Sequence, residues 1–266
     1  LPHESPVPST LVHEIEFEWV RVDGRERSTF ASAPLRVLQE PAVAIGPPLR
    51  GGPWVALYDP RMPRGHRPSI YTLDGRARIP ARYAIDWVRL APDGTHAKPD
   101  TTKVANWHGY GEDVLAVADG IVIDARDDMP AADTVGAAQG AMPLEEASGN
   151  YVVLDIGGGR YAFYEHLQHG SVRVTRGDRV RKGDVIASLG NSGSSSSGPH
   201  LHFHLADSPH TLAAEGVPFV FDSFEVIGRF DSIDAFVTGK RWHATNAGSV
   251  RKREHPDTNV VLMFEK

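Results

Sequence analysis

Three histidines recur at every second position in the segment Gly198-Pro199-His200-Leu201-His202-Phe203-His204. Successive side chains of a β-strand point to opposite faces, so a strand here would carry all three imidazoles on one face. The apolar residues between them, Leu201 and Phe203, would then anchor the other face in a core. A row of histidines on a rigid strand suits a metal site with a general base beside it. This segment therefore predicts metal-dependent chemistry.

The composition limits which ligands and partners are possible. The chain contains no cysteine, so any metal must be held by His, Asp or Glu. The net charge of −6 argues against nucleic acid as a partner. No run of about twenty apolar residues is present, which argues against a membrane-spanning helix. The first residue is Leu rather than Met, and we expect a processed N-terminus from which an export signal has been removed.

The spacing of turn residues predicts an all-β protein. From residue 70 onward, short runs of Val, Ile and Tyr are separated by turn signals such as Asp74-Gly75 and Lys182-Gly183-Asp184. We expect an antiparallel sheet or barrel-sandwich core that forms a groove with the metal at its floor. The expected organisation is an N-terminal β module or extension at 1–58, the core at 59–228 and a C-terminal β tail at 229–266. Residues 127–148 break the pattern and predict a surface insertion that forms a wall of the groove.

Three blocks of residues, in a fixed order, carry a family resemblance. They run from Tyr110 to Val122, from Gly149 to Leu167 and from Val180 to Phe203. Together the resemblance spans about residues 79–206, roughly half of the chain. These blocks resemble the lysostaphin-like zinc endopeptidases, which cut peptide cross-links of bacterial cell walls. The core at 59–228 is accordingly expected to be a peptidase.

The resemblance implies both an activity and a place of action. We expect a zinc-dependent endopeptidase that hydrolyses peptide bonds in peptidoglycan cross-links or in glycine-rich peptides. Because that substrate lies outside the cytoplasm, the resemblance implies a periplasmic or secreted protein. Arg82, Asn191 and His204 are predicted to contact the substrate.

The resemblance also assigns roles within the site. It implies that Asp86 and His202 are zinc ligands and that His200 is the general base that takes a proton from water. His166 would be a second catalytic histidine, which either orients His200 or stabilises the developing oxyanion.

The first zinc ligand departs from the family pattern. Family members carry a histidine four residues before the aspartate, and this chain has Arg82 there. A guanidinium stays protonated and offers no lone pair, so Arg82 cannot ligate zinc. His108 lies too late in the chain to replace it, because the block from Gly111 onward aligns with the segment that follows the family's aspartate.

A predicted hairpin could supply another zinc ligand in place of the histidine that is missing at position 82. If Asp74-Gly75 forms a two-residue turn, Leu73 pairs with Arg76. In that register His66 lies opposite Tyr83, one step from position 82. A bulge or slip would bring the imidazole to the metal, and prolines at 68 and 80 favour such irregularity. We therefore predict that His66, from the neighbouring strand, completes the zinc shell.

Three alternatives remain open at this point. A family member with a degenerate site could bind cell wall or regulate another hydrolase without catalysis, for instance if Arg82 neutralised Asp86. A structural or storage zinc site would need a fourth ligand, and His204 could supply it only by distorting its strand. A lipoyl or biotin carrier would need an exposed lysine on a tight hairpin, and Lys182 lies in a core turn pattern instead.

Overall fold

The computed structural model describes residues 7–37, 39, 41–58, 65–136, 142–194 and 198–265. The chain divides into two compact units, the first ending at Ala42 and the second beginning at Val43. Val43–Ile45 and Trp54–Leu57 belong to the second unit, since they pair with its strands. The organisation expected from the sequence, with boundaries at residues 58 and 228, stays a prediction.

The first unit consists of two pairs of antiparallel strands. Its strands are β1 (Thr10–Leu11), β2 (Glu14–Arg21), β3 (Gly24–Ala31) and β4 (Leu35–Arg36). β2 pairs with β3 along eight residues each, and β1 pairs with β4.

Nearly all of the regular secondary structure in the described part of the second unit is β-strand. They are β5 (Val43–Ile45), β6 (Trp54–Leu57), β7 (Tyr71–Leu73), β8 (Arg76–Arg78), β9 (Ile85–Arg89), β10 (Asp113–Leu115), β11 (Gly120–Arg126), β12 (Asn150–Asp155), β13 (Tyr161–Leu167), β14 (Arg179–Val180), β15 (Val185–Ser188), β16 (Leu201–Ala206), β17 (Phe219–Arg229), β18 (His243–Glu254) and β19 (Val260–Met263). One short helix, α1 (Ile233–Val237), and 3₁₀ turns at Val104–Asn106 and Leu144–Glu146 complete it. The all-β prediction is confirmed. No helix in the described ranges is long and apolar enough to cross a bilayer.

One large sheet positions the histidine segment. Its strand order is β14-β11-β12-β13-β16-β9-β6-β19-β17-β18, and β5 adds to β17 in parallel. β16 lies between β13 and β9 and is antiparallel to both. Leu201, Phe203 and Leu205 are fully buried in the main core, so the alternation read from the sequence fixes which face of β16 carries its histidines.

A β-bulge interrupts β13 next to this segment. Asn150 pairs with Leu167 and Val152 with Tyr164, so β13 carries one residue more than β12 over this stretch. The residue that absorbs the irregularity is His166, whose φ is +63°. Tyr164 points into the core, where its hydroxyl accepts a hydrogen bond of 2.9 Å from the Val117 amide. The bulge lets the two residues that follow Tyr164 line the same cavity.

The Asp74-Gly75 turn has the predicted form. Leu73 pairs with Arg76, and the two turn residues have φ values of +51° and +72°. This is the conformation that a two-residue turn between β-strands favours. The pairing ends at Tyr71 and Arg78, however, so the expected register does not reach His66. The neighbouring-strand part of that prediction was wrong, because residues 66–68 form a turn in which the Ser69 amide donates to the His66 carbonyl at 3.3 Å.

A buried asparagine fixes the start of the 127–148 segment. Asn150 is 0% exposed, and its side chain accepts from the Met129 amide and donates to the Met129 carbonyl, both at 2.8 Å. Asn150→Ala would leave both backbone groups buried without partners, and we expect a loss of about 2–4 kcal/mol in the free energy of unfolding. Urea denaturation measures this loss. Thr245→Ala, at an exposed position of β18, should change stability by less than about 0.5 kcal/mol. Equal stability losses in the two variants would contradict this account.

Candidate metal centre

Three side chains from separate segments converge on one point. Asp86 of β9 pairs directly with His202 of β16 in the sheet, and Asp86 Oδ1 lies 2.9 Å from His202 Nδ1. The other carboxylate oxygen, Oδ2, lies 3.0 Å from His66 Nε2. The rings of His66 and His202 meet edge to face, with centroids 4.7 Å apart. The turn before β7 thus delivers an imidazole to the aspartate.

The donor atoms of these three residues fit a zinc ion. One ligand atom from each of His66, Asp86 and His202 lies within 4.8 Å of the others. Tetrahedral zinc with bonds of about 2.0–2.1 Å places its ligand atoms about 3.3 Å apart. Here each imidazole lies at a similar distance from one oxygen of the Asp86 carboxylate, 3.0 Å from Oδ2 for His66 and 2.9 Å from Oδ1 for His202. Two imidazole nitrogens and one carboxylate are also a common catalytic ligand set for zinc.

The charge state of Asp86 suits a ligand. Burial by itself would raise the pKa of this carboxyl group. Charge interactions with His66 and His200, together with hydrogen bonds from His202 and His66, nevertheless hold the pKa of Asp86 well below its ordinary value. Asp86 is therefore an anion at neutral pH.

Two further histidines present equivalent nitrogens beside this point. His200 Nδ1 donates to the Gly198 carbonyl at 2.8 Å, and His166 Nδ1 donates to the Ser192 carbonyl at 2.9 Å. A carbonyl oxygen can only accept, so the proton of each neutral ring lies on Nδ1 and Nε2 carries the lone pair. His200 Nε2 lies 3.7 Å from Asp86 Oδ1, and the rings of His166 and His200 have centroids 4.9 Å apart.

His166 is neutral at physiological pH. Burial lowers the pKa of His166 well below its ordinary value, and the positive charges that His200 and His202 could carry lower it further. With its proton on Nδ1, His166 presents the lone pair of Nε2, which can accept a hydrogen bond.

A second buried group adjoins His202 on the side away from Asp86. Glu165, His202 and His204 could also hold an ion, and each is less than a tenth exposed. His202 Nε2 lies 3.2 Å from His204 Nδ1, while the His204 ring stacks on Phe163 at 4.6 Å. Sequence reasoning missed Glu165, which lies directly opposite His202 in the pairing of β13 with β16. Strand alternation, which puts Glu165 on the face opposite the buried Tyr164, was the signal that could have found it.

A cavity of about 190 Å³ opens over these groups. His66, Glu165, His166, His202 and His204 line it. Leu144, Ala147 and Ser148 form part of its wall, and the groove wall expected from the whole of residues 127–148 stays a prediction. The side chains of His66 and His202 therefore border open space.

The remaining predicted residues have different surroundings. Arg82 Nε donates to Glu215 Oε1 at 2.6 Å, which joins the turn before β9 to the segment before β17. Asn191 is 2% exposed and His204 is also 2% exposed. His108 Nε2 lies 3.4 Å from the Thr95 hydroxyl, away from Asp86. Substrate contact by Arg82, Asn191 and His204 stays a prediction.

Comparison with known proteins identifies relatives of part of the chain. Residues 105–213 match the model of Peptidase family M23. The chain is 34% identical over 97 residues to Endolysin 2638A of Staphylococcus phage 2638A, which covers 36% of this chain and 16% of the endolysin. The chain therefore spans about a sixth of that relative's length. His66 and Asp86 lie outside the residues that match the family model.

The solved structures that this chain is similar to are distant from it in sequence. The catalytic domain of the prophage-encoded M23 protein EnpA from Enterococcus faecalis is 20% identical, with 64% of this chain and 92% of that chain covered and a TM-score of 0.37. The catalytic domain of lysostaphin from Staphylococcus simulans is 19% identical, with 63% and 88% covered and a TM-score of 0.34.

Proposed function

We propose that this protein is a zinc-dependent endopeptidase of cell-wall peptides, and the match of residues 105–213 to the model of Peptidase family M23 supports the proposal. One observation carries the proposal. His66, Asp86 and His202 converge beside a cavity that His66, His166 and His202 line, and backbone carbonyls hold Nδ1 of His166 and of His200. A three-ligand site that opens to a cavity is the arrangement of catalytic rather than structural zinc.

The protein residues divide the chemistry between them. Zinc, when bound, lowers the pKa of water and polarises a carbonyl group. His200 Nε2, close to Asp86, takes the proton of the attacking water as general base. The His166 ring has its centroid 4.9 Å from that of His200, and in this tautomer its Nε2 can accept a hydrogen bond and help to orient His200 but has no N–H to donate to an oxyanion. The carbonyls of Gly198 and Ser192 fix both rings in this tautomer.

A regulator without catalytic activity finds no support in the surroundings of Arg82. That alternative had Arg82 neutralise Asp86 and abolish the metal site. Arg82 instead pairs with Glu215, and Asp86 faces three histidines. The carboxylate thus remains available to a cation.

The substrate class follows from the relatives. The family and the endolysin both point to peptidoglycan peptides, and a periplasmic or secreted location would match that substrate. We expect zinc-loaded protein to release peptide fragments with new amino termini from purified cell walls, as identified by mass spectrometry. A chelator should abolish the release, and added zinc should restore it. Intact walls after prolonged digestion with protein that holds zinc would refute the peptidoglycan proposal.

A further inference from the structure

The two ring nitrogens of His202 face different partners. Nδ1 lies 2.9 Å from Asp86 Oδ1, and Nε2 lies 3.2 Å from His204 Nδ1. A nitrogen that ligates a metal must present its lone pair. If Nδ1 of His202 is the ligand atom, the single proton of the neutral ring lies on Nε2 and donates toward His204. His204 Nδ1 must then be the acceptor.

The surroundings of His204 are those of a fixed acceptor. The residue is 2% exposed, and its ring is nearly parallel to that of Phe163, at 6° and 4.6 Å. When Nδ1 accepts, the proton of His204 lies on Nε2. That atom is buried and makes no hydrogen bond within the described part of the chain.

The Nε2–H of His204, unpaired among the described residues, lowers the stability of the folded protein. A buried N–H without a partner costs about 1–3 kcal/mol, whereas a phenyl ring at the same place could stack on Phe163 without that cost. The imidazole of His204 is therefore explained by the one hydrogen bond that it does make, to His202.

We propose that His204 is a positioning residue that holds His202 in the tautomer and orientation required of a zinc ligand. The proposal rests on the zinc-binding function proposed above. Metal-bound histidines commonly donate their second ring N–H to a neighbouring acceptor, which orients the ring and makes it a stronger ligand. Here a second imidazole, stacked on Phe163, takes the place of the usual carboxylate or carbonyl acceptor.

A second ion at Glu165, His202 and His204 is the competing interpretation of the same cluster. An ion there would need the nitrogen of His202 that faces His204, and this nitrogen would then have no proton to donate. The two interpretations differ in stoichiometry. We expect one zinc per chain at saturation, and a second zinc that is lost in Glu165→Gln would overturn the proposal.

Three substitutions at position 204 separate hydrogen bonding from packing. His204→Asn places an amide oxygen near the position of Nδ1 and can still accept. His204→Phe keeps the ring stack without an acceptor, and His204→Gln moves the polar group one bond farther from His202. Competition with a chelator should show zinc dissociation constants about 10–100-fold higher for the Phe and Gln variants and within about 3-fold of the parent for Asn.

Controls distinguish the possible failures. Thermal melting of the metal-free variants reports whether each one folds. If the Phe variant does not fold, the comparison of the Asn and Gln variants alone tests the proposal. Nitrogen-15 NMR of the zinc-loaded parent and of the Asn variant should show His202 protonated at Nε2. If the parent binds zinc and the Phe or Gln variant binds it equally well, only the role of His204 is overturned. If the parent binds no zinc, the proposed function fails as well.

Discussion

His66→Ala should lose nearly all bound zinc at micromolar metal, and with it all peptidase activity. The substitution removes one of three donor atoms, and Asp86 and His202 would remain as an incomplete pair. Loss of an outer partner of a metal ligand already weakens binding about 10–100-fold, so loss of a direct ligand should exceed that range. Metal analysis after dialysis and a chelator competition measure the effect.

Arg82→Ala is the matched control for this variant. Arg82 occupies the position at which the family carries its first ligand, yet it contacts Glu215 and not the metal group. We expect the Arg82 variant to keep the zinc affinity of the parent. If His66→Ala bound zinc as the parent does while Arg82→Ala lost it, the third donor would have to lie near position 82.

His200→Ala should keep zinc and lose turnover. Its Nε2 lies 3.7 Å from Asp86 Oδ1, beyond the two close contacts of the carboxylate, and its role as general base is worth about 10²–10⁴-fold in rate. Turnover of a peptide substrate, measured beside zinc content, tests this expectation. The substitution leaves β16 intact, because Leu201, Phe203 and Leu205 anchor the strand from its other face.

His202→Ala and Asp86→Ala provide the contrast. Each should lose zinc and activity together, because each removes a donor atom. Equal zinc loss in these two variants and in His200→Ala would show that the division between ligand and base is wrong.

Local patterns in the sequence predicted the parts of the fold that depend on local geometry. The alternation around His202 determines the two faces of β16, since a strand has a period of two. Asp74-Gly75 predicts its turn because both residues tolerate a positive φ. These features need no knowledge of distant contacts.

The rest of the site depends on contacts that local patterns do not encode. Arg82 pairs with Glu215, which lies 133 residues away in the chain. The bulge that brings His166 to the same cavity as Glu165 arises from the register between β12 and β13, and β13 contains no glycine that would mark it. The approach of His66 depends on where the hairpin pairing ends, which the turn alone does not determine.

The left-handed backbone conformation of His166 lowers the stability of the fold, while its imidazole has a proposed role in activity. Residues other than glycine and asparagine adopt a φ of +63° at a cost of about 1–2 kcal/mol. Selection for heat resistance alone would therefore favour glycine or asparagine at this position and would discard one of the two imidazoles proposed for catalysis. Engineers who seek a more durable form of this protein should exclude position 166 from consensus or glycine-scanning libraries and gain stability elsewhere.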